Sequence, residues 1–317
     1  MITLVELNNI KKYFFSNYSN YPIKAVDGVD LKIEKGQVLG LIGESGSGKS
    51  TLGKLILGLE KPTRGQVTFK EENIETLIKD NRKDYYKKVQ MIFQNPYDVF
   101  DHNFSIEKSL KDLLKIHNIG KGEEDKLLKD LLESFSMKPA NDFLKRYPDD
   151  LSGGQLQRIA ILRSMILQPD FLVADEPVTM LDVSVRSEII NLLLEARQIN
   201  DTSILFISHD IATTSFISDR IAVMYLGQIV EEAGAKELIE KPYHPYTKTL
   251  LSYTNSIFSD NNKKKIRIKV DPPKGQNLGE KCYFSSRCYK AHDKCFKQMP
   301  DLEDIGSARK VRCFYYG

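Results

Sequence analysis

Nine consecutive residues, Gly43-Glu44-Ser45-Gly46-Ser47-Gly48-Lys49-Ser50-Thr51, follow the pattern G-x-x-x-x-G-K-[ST]. Glycines at this spacing let the backbone curl around phosphate oxygens with successive N–H groups pointing inward. A helix starting directly behind them would turn its unpaired N–H groups and partial positive charge toward the same anion. Lys49 would add a point charge for β- and γ-phosphates, and the Ser50 hydroxyl a ligand for Mg²⁺. Further along, the apolar run Phe171-Leu172-Val173-Ala174 ends in Asp175-Glu176. Asp175 is placed to hold Mg²⁺ directly or through water, and Glu176 to polarise a water that attacks a γ-phosphate. Alone, such a pair says little. Beside the phosphate loop it points to hydrolysis of a nucleoside triphosphate.

These groups need strands and helices to hold them. Val38-Leu39-Gly40-Leu41-Ile42 reads as a strand buried on both faces, leading into the loop. Leu52, Leu55, Ile56 and Leu59 then mark one helical face, stopped near Gly58 and Pro62. From about 100 to 150, Lys, Asp, Glu and Leu dominate, as in Leu127-Leu128-Lys129-Asp130-Leu131-Leu132, which suggests a helical insertion. Strand-like runs return at Phe171–Ala174 and Ile204–Ile207, with a helix expected over Val185–Leu194. That alternation argues for a mostly parallel sheet covered on both faces. After about 235 the pattern weakens, and Lys263-Lys264-Lys265 with Asp271-Pro272-Pro273 reads as a linker. There is no internal repeat and no low-complexity tract.

Leu151-Ser152-Gly153-Gly154-Gln155 resembles the signature sequence of ATP-binding-cassette (ABC) ATPases. A serine and two glycines opening a helix make a second anion-binding N-terminus. The resemblance implies that Ser152, Gly153, Gly154 and Gln155 bind the γ-phosphate of ATP held by an opposite subunit. The other family motifs follow in order. Gln94 looks like the Q-loop glutamine, a contributor to hydrolysis and Mg²⁺ binding. Asp175 is similar to the Walker B aspartate, Asp182 to the D-loop and His209 to the switch histidine. Tyr13 sits where the family places a ring against adenine, a role that Phe14 or Phe15 could also fill. Thr179-Met180 stands where Ser-Ala is common, which bears on subunit contact. The implied fold is α/β: a RecA-like P-loop core with an N-terminal antiparallel β subdomain and a helical insertion, plus a small C-terminal cysteine-bearing extension. The ATPase domain is expected over 1–235, its helical subdomain over about 95–155, and the extension over 236–317.

Ala25-Val26-Asp27-Gly28-Val29 and His244-Pro245-Tyr246-Thr247, followed by Leu250-Leu251, resemble the ATPase subunits of dipeptide, oligopeptide and nickel importers. That branch implies a second, paralogous ABC subunit, two transmembrane permeases and an extracytoplasmic solute-binding protein. The tail holds Cys282, Cys288, Cys295 and Cys313, all the cysteines of the chain, in the spacing C-x5-C-x6-C-x17-C. Disulfides are out of place in a reducing cytoplasm, and the close pair usual for structural zinc is missing. A [4Fe–4S] cluster, zinc and unligated thiols remain open. Some members of this branch carry such a cluster in a similar tail.

The bulk composition narrows the classes. Of 317 residues, 41% are hydrophobic and 28% charged, with a formal net charge of +3, so no nucleic-acid-coating surface is expected. No apolar run approaches the roughly 18 residues that span a bilayer, and the N-terminus lacks a secretory layout. A cytoplasmic protein, peripheral on the inner face of the membrane, is expected. The competing readings are a soluble ABC ATPase of a non-transport complex, such as phosphonate cleavage, and a regulatory module that binds ATP without turnover. Intact Glu176 and His209 speak against the latter. The cargo would be touched by other polypeptides and is not written here.

Overall fold

The computed structural model describes residues 2–15, 21–179, 181–254 and 279–316. The expected linker segments Lys263–Lys265 and Asp271–Pro273, and Met180, lie outside the described residues. The strands are β1 (Thr3–Phe14), β2 (Ile23–Glu34), β3 (Val38–Ile42), β4 (Arg64–Phe69), β5 (Glu72–Asn73) and β6 (Val89–Ile92). They continue as β7 (Phe171–Asp175), β8 (Ser203–Ser208), β9 (Arg220–Tyr225), β10 (Gln228–Gly234), β11 (Glu303–Asp304) and β12 (Lys310–Val311). The helices are α1 (Lys49–Ile56), α2 (Ile74–Lys88), α3 (Ile106–His117), α4 (Glu124–Ser134), α5 (Ala140–Leu144) and α6 (Gly153–Met165). After them come α7 (Val183–Asn200), α8 (Ile211–Ile217), α9 (Ala235–Glu240), α10 (Pro245–Thr254) and α11 (Asp293–Lys297).

Two compact units divide the chain: Met1–Leu77 with Leu205–Gly317, and Ile78–Ile204. In the first, β2-β1-β4-β5 form an antiparallel sheet. A second sheet runs β11-β12-β10-β9-β3-β8, with β3 parallel to β9 and the remaining recorded pairings antiparallel. All five residues of β3 are buried, as its unbroken apolar run predicts. α1 is shorter than its apolar spacing suggests. Leu52, Leu55 and Ile56 are buried, but the helix ends at Leu57, Gly58 turns left-handed (φ 68°), and Leu59 is 48% exposed. A left-handed glycine just past the last turn is the commonest way for a helix to stop. The C-terminal extension is built into this unit. β12 pairs with β10, and Tyr283 and Phe284 join a core made by Ile42, Val223, Tyr225 and Tyr246.

The second unit holds the parallel pair β6–β7, with all five residues of β7 buried. Its helices α3, α4 and α5 form the insertion, with Leu110, Leu114, Leu128 and Leu132 in one apolar cluster also lined by Leu156 and Ile159 of α6. α3 starts with the Ser105 side chain accepting from the Lys108 N–H and stops at Asn118 in the left-handed region, both standard cap chemistry. The helix expected at Val185–Leu194 is the middle of α7.

Candidate functional site

The phosphate loop bridges β3 and α1, as its spacing predicts. Gly43 and Gly48 are there because nothing larger fits: an added Cβ would lie 2.2 Å from the Met224 carbonyl oxygen and 2.0 Å from that of Ala25. Gly48 also has φ 107°, outside the ordinary range of L side chains. Lys49 is buried, and its Nζ donates to the carbonyls of Gly43 (2.9 Å) and Glu44 (3.0 Å), curling back along the loop. Ser47 is buried, and its Oγ finds no hydrogen-bond partner among the described residues. Ser45, Gly46 and Ser50 are exposed and Thr51 half-buried.

Tyr13 lies on β1, and its hydroxyl donates to Asp27 at 2.5 Å. Burial, then the Asp27 carboxylate, pushes the phenol pKa well above its usual range. Phe14 and Phe15, the other candidate rings, are exposed. His209 sits exposed at the end of β8, next to Asp210, whose carboxylate caps α8 by accepting from Ala212 N–H and Thr213 Oγ.

The second unit assembles a further group. Asp175 ends β7 and is buried; Glu176 follows in the left-handed region (φ 47°). Non-glycine residues there are uncommon and gather at functional turns. The Glu176 Oε2 accepts from Gln94 Nε2 at 3.2 Å and from Thr179 Oγ at 3.0 Å. Gln94, Glu176, Gly153, Gln157 and Leu181 line one cavity. Ser152 and Gly153 are exposed at the start of α6, where Ser152 Oγ accepts from the Gln155 N–H and Gln155 Oε1 accepts from the Ser152 N–H. That reciprocal box satisfies two N–H groups and leaves the rest of the helix end for an anion. Asp182 is exposed at the N-cap of α7. Sequence reasoning missed Gln157, whose side-chain amide is buried without a partner among the described residues, and Thr179 as the hydroxyl on Glu176. Gln157 lies one turn past Gly153 on the signature helix, a spacing that could have flagged it.

In the extension, Cys282, Cys288, Cys295 and Cys313 line one cavity. Lys290 N–H and Tyr315 N–H each lie 3.4 Å from a sulfur, of Cys288 and Cys313 respectively. Burial first, then the neighbouring thiols, pushes the Cys282 pKa up to about 12 and that of Cys288 up to about 11. No trio of His, Cys, Asp and Glu among the described residues is gathered as a ready metal-coordinating group. The iron–sulfur expectation therefore has a shared cavity in its favour but no preformed coordination sphere.

Comparison with known proteins puts this arrangement in context. The family model for ABC transporters matches residues 26–179, and that for the oligopeptide/dipeptide transporter C-terminal region matches 230–295. The chain is 38% identical over 323 residues to the oligopeptide transport ATP-binding protein AppF of Bacillus subtilis, covering 99% of this chain and 98% of that one. It is 37% identical over 308 residues to the dipeptide transport ATP-binding protein DppF of Haemophilus influenzae, covering 96% and 93%. Among solved structures, a dimeric post-hydrolysis state of the ATP-binding cassette MJ0796 with ADP and Pi superposes with TM-score 0.65 at 27% identity, covering 73% of this chain and 99% of that one. CbiO1 of Clostridium perfringens, part of an ABC transporter complex, shares the fold with TM-score 0.64 at 23% identity, covering 81% and 96%.

Proposed function

Because the chain belongs to the ABC transporter family and is an ATPase subunit of it, we propose that it powers an importer of di- or oligopeptides, or of a related small solute such as a nickel complex. One observation carries this reading: the cassette and the oligopeptide-type C-terminal region are matched on one chain, 26–179 and 230–295. The soluble phosphonate-type alternative finds no support among these relatives. Among the described residues no helix is long and apolar enough to cross a membrane, so the proposed work on a solute needs membrane partners. The proposed assembly is a sandwich of this subunit with a second ABC subunit, a paralogue, under two permeases fed by an extracytoplasmic binding protein. The subunit would then sit on the cytoplasmic side of the membrane.

In the proposed cycle, Lys49 and the N–H groups of the phosphate loop hold ATP, and Tyr13 packs on adenine. Ser50, Asp175 and Gln94 carry the hard oxygen donors that Mg²⁺ prefers and make up the proposed set. Mg²⁺, when bound, offsets charge on the phosphates. Glu176, its carboxylate steadied by Gln94 and Thr179, polarises the attacking water; His209 contacts the γ-phosphate. Ser152 to Gln155 and Asp182 serve the opposite subunit's nucleotide. A tagged pull-down from gently solubilised membranes tests the reading. Two multi-span permeases and a second ABC subunit are expected, and recovery of soluble partners alone would overturn import. For the four cysteines we propose a metal centre, a [4Fe–4S] cluster or zinc, supported by their shared cavity. Anaerobic purification with iron, sulfide and zinc analysis tests this, and a metal-free protein would sink it.

A further inference from the structure

Glu44 is the one carboxylate inside the loop Gly43–Thr51. A negative charge there opposes the binding of a triphosphate, because like charges repel. The structure shows how it is offset. Arg287, on the segment between Cys282 and Cys288, lays its guanidinium across the carboxylate as a two-pronged fork: Nη1 to Oε2 at 2.9 Å and Nη2 to Oε1 at 3.0 Å. The Arg287 side chain is only 5% exposed and that of Glu44 28%. The same Nη1 donates to the Tyr225 hydroxyl at 3.2 Å, with the guanidinium 5.6 Å from the Tyr225 ring centre and 6.0 Å from that of Phe284. A planar guanidinium buried against two rings and paired at both prongs is a fixed charge rather than a mobile surface one. The Glu44 N–H is also fixed, donating to the buried Tyr246 hydroxyl at 2.9 Å. Four residues earlier on the same segment, Tyr283 donates to Asp27, which also holds Tyr13.

We propose that Arg287 is a positioning residue of the nucleotide site: from the C-terminal extension it neutralises Glu44 within the phosphate loop, so that the loop accepts the triphosphate of ATP. The proposal rests on reading residues 43–51 as the phosphate loop. It differs from a mere anchoring role in one respect. If Arg287 only tied the extension down, deleting the Glu44 charge would not repair its loss. If Arg287 neutralises, the repair is expected.

The test uses the full chain as purified, with a fluorescent ATP analogue and Mg²⁺. R287Q, which removes the charge, should raise Kd about tenfold, roughly 1.4 kcal/mol, and the deficit should shrink in high salt. The double variant E44Q/R287Q should return Kd to within about threefold of the wild type. E44Q alone, with the repelling charge gone, should bind at least as tightly as the wild type. Kd within twofold of the wild type in R287Q, or no repair in the double variant, would overturn the proposal. Should R287Q fail to fold, a tenfold loss in E44Q would overturn it independently. K49A separates the two readings. If K49A keeps full affinity, the phosphate-loop reading itself fails; if K49A loses affinity while R287Q does not, only the role of Arg287 fails.

Discussion

Replacing Asp27 by Asn tests the hub that joins the β1 sheet, the candidate adenine ring and the extension. Asp27 is 7% exposed and accepts the hydroxyls of Tyr13 and Tyr283, each at 2.5 Å, with Lys24 Nζ at 3.3 Å. Burial works to raise its pKa, but the two hydroxyls and Lys24 outweigh burial and hold it below the ordinary carboxylate value. A hydrogen bond to a charged acceptor contributes about 1.5–3 kcal/mol and a neutral one about 0.5–1.5 kcal/mol. Asn keeps the size and loses the charge, so demoting two bonds should cost about 2–3 kcal/mol. With a urea dependence of about 3 kcal/mol/M for a chain this long, the unfolding midpoint should fall by about 1 M at pH 7. The pH dependence fixes the sign. A depressed folded pKa means that the wild-type advantage is present above the unfolded carboxyl pKa of about 3.9. It is lost as pH falls through the lower folded value, so the two stability curves should converge in acid. Urea titrations by circular dichroism from pH 7 downward measure this. A midpoint shift below about 0.2 M at pH 7, or a gap that persists in acid, would refute the reasoning.

Three further outcomes follow from the same geometry. Glu176→Gln should lower kcat by about 10²–10⁴-fold, the scale of a lost general base, while ATP binding survives and an ATP-dependent dimer accumulates in light scattering; undiminished turnover would contradict the role assigned to Glu176. Thr179→Val removes the hydroxyl on the Glu176 carboxylate and should lower kcat several-fold, in line with about 0.5–1.5 kcal/mol for one such bond, with KM for ATP unchanged. Arg309→Ala takes the cation from Glu231, whose side chain is fully buried, which Arg309 meets at 2.9 Å, and whose oxygens keep the N–H donors of Tyr243 and His244. Removing one partner of a buried pair costs about 3–5 kcal/mol, and a thermal midpoint lowered by less than a few degrees would count against this pairing.

The parts of the molecule legible in the sequence are those whose physics is local. The phosphate loop depends on glycines that no neighbour can replace, and β3, β7 and β8 announce themselves by continuous apolar runs. The signature opens α6 through a box between Ser152 and Gln155, three residues apart. The end of α1 was less legible, because apolar spacing continues to Leu59 while Gly58 decides the backbone. What the sequence hides are contacts between distant residues. Arg287 and Glu44 are 243 positions apart, and Tyr283 and Asp27 are 256 apart. No periodicity or motif encodes such a pairing. Gln157 and Thr179 carry no motif of their own and gain meaning only from the cavity and the carboxylate they face.

The expected boundary at 235/236 marks a change of sequence pattern, and the compact unit Met1–Leu77 with Leu205–Gly317 runs straight across it. The reason lies in the charges. Three carboxylates that precede the boundary, Asp27, Glu44 and Glu231, take partners that follow it, from Tyr283, Arg287 and Arg309. β12 also covers the edge of β10, and Arg312 N–H bonds the Val230 carbonyl at 2.8 Å. A cassette cut off before the extension would bare the edge of β10 and take from Glu231, whose side chain is fully buried, both Arg309 and the N–H donors of Tyr243 and His244; unpaired buried charge is the costliest defect a core can carry. The extension is therefore an internal part of the unit that holds the phosphate loop. Cys282 and Cys288 flank Tyr283 and Arg287, so whatever settles those two thiols acts on the segment that hydrogen-bonds the loop.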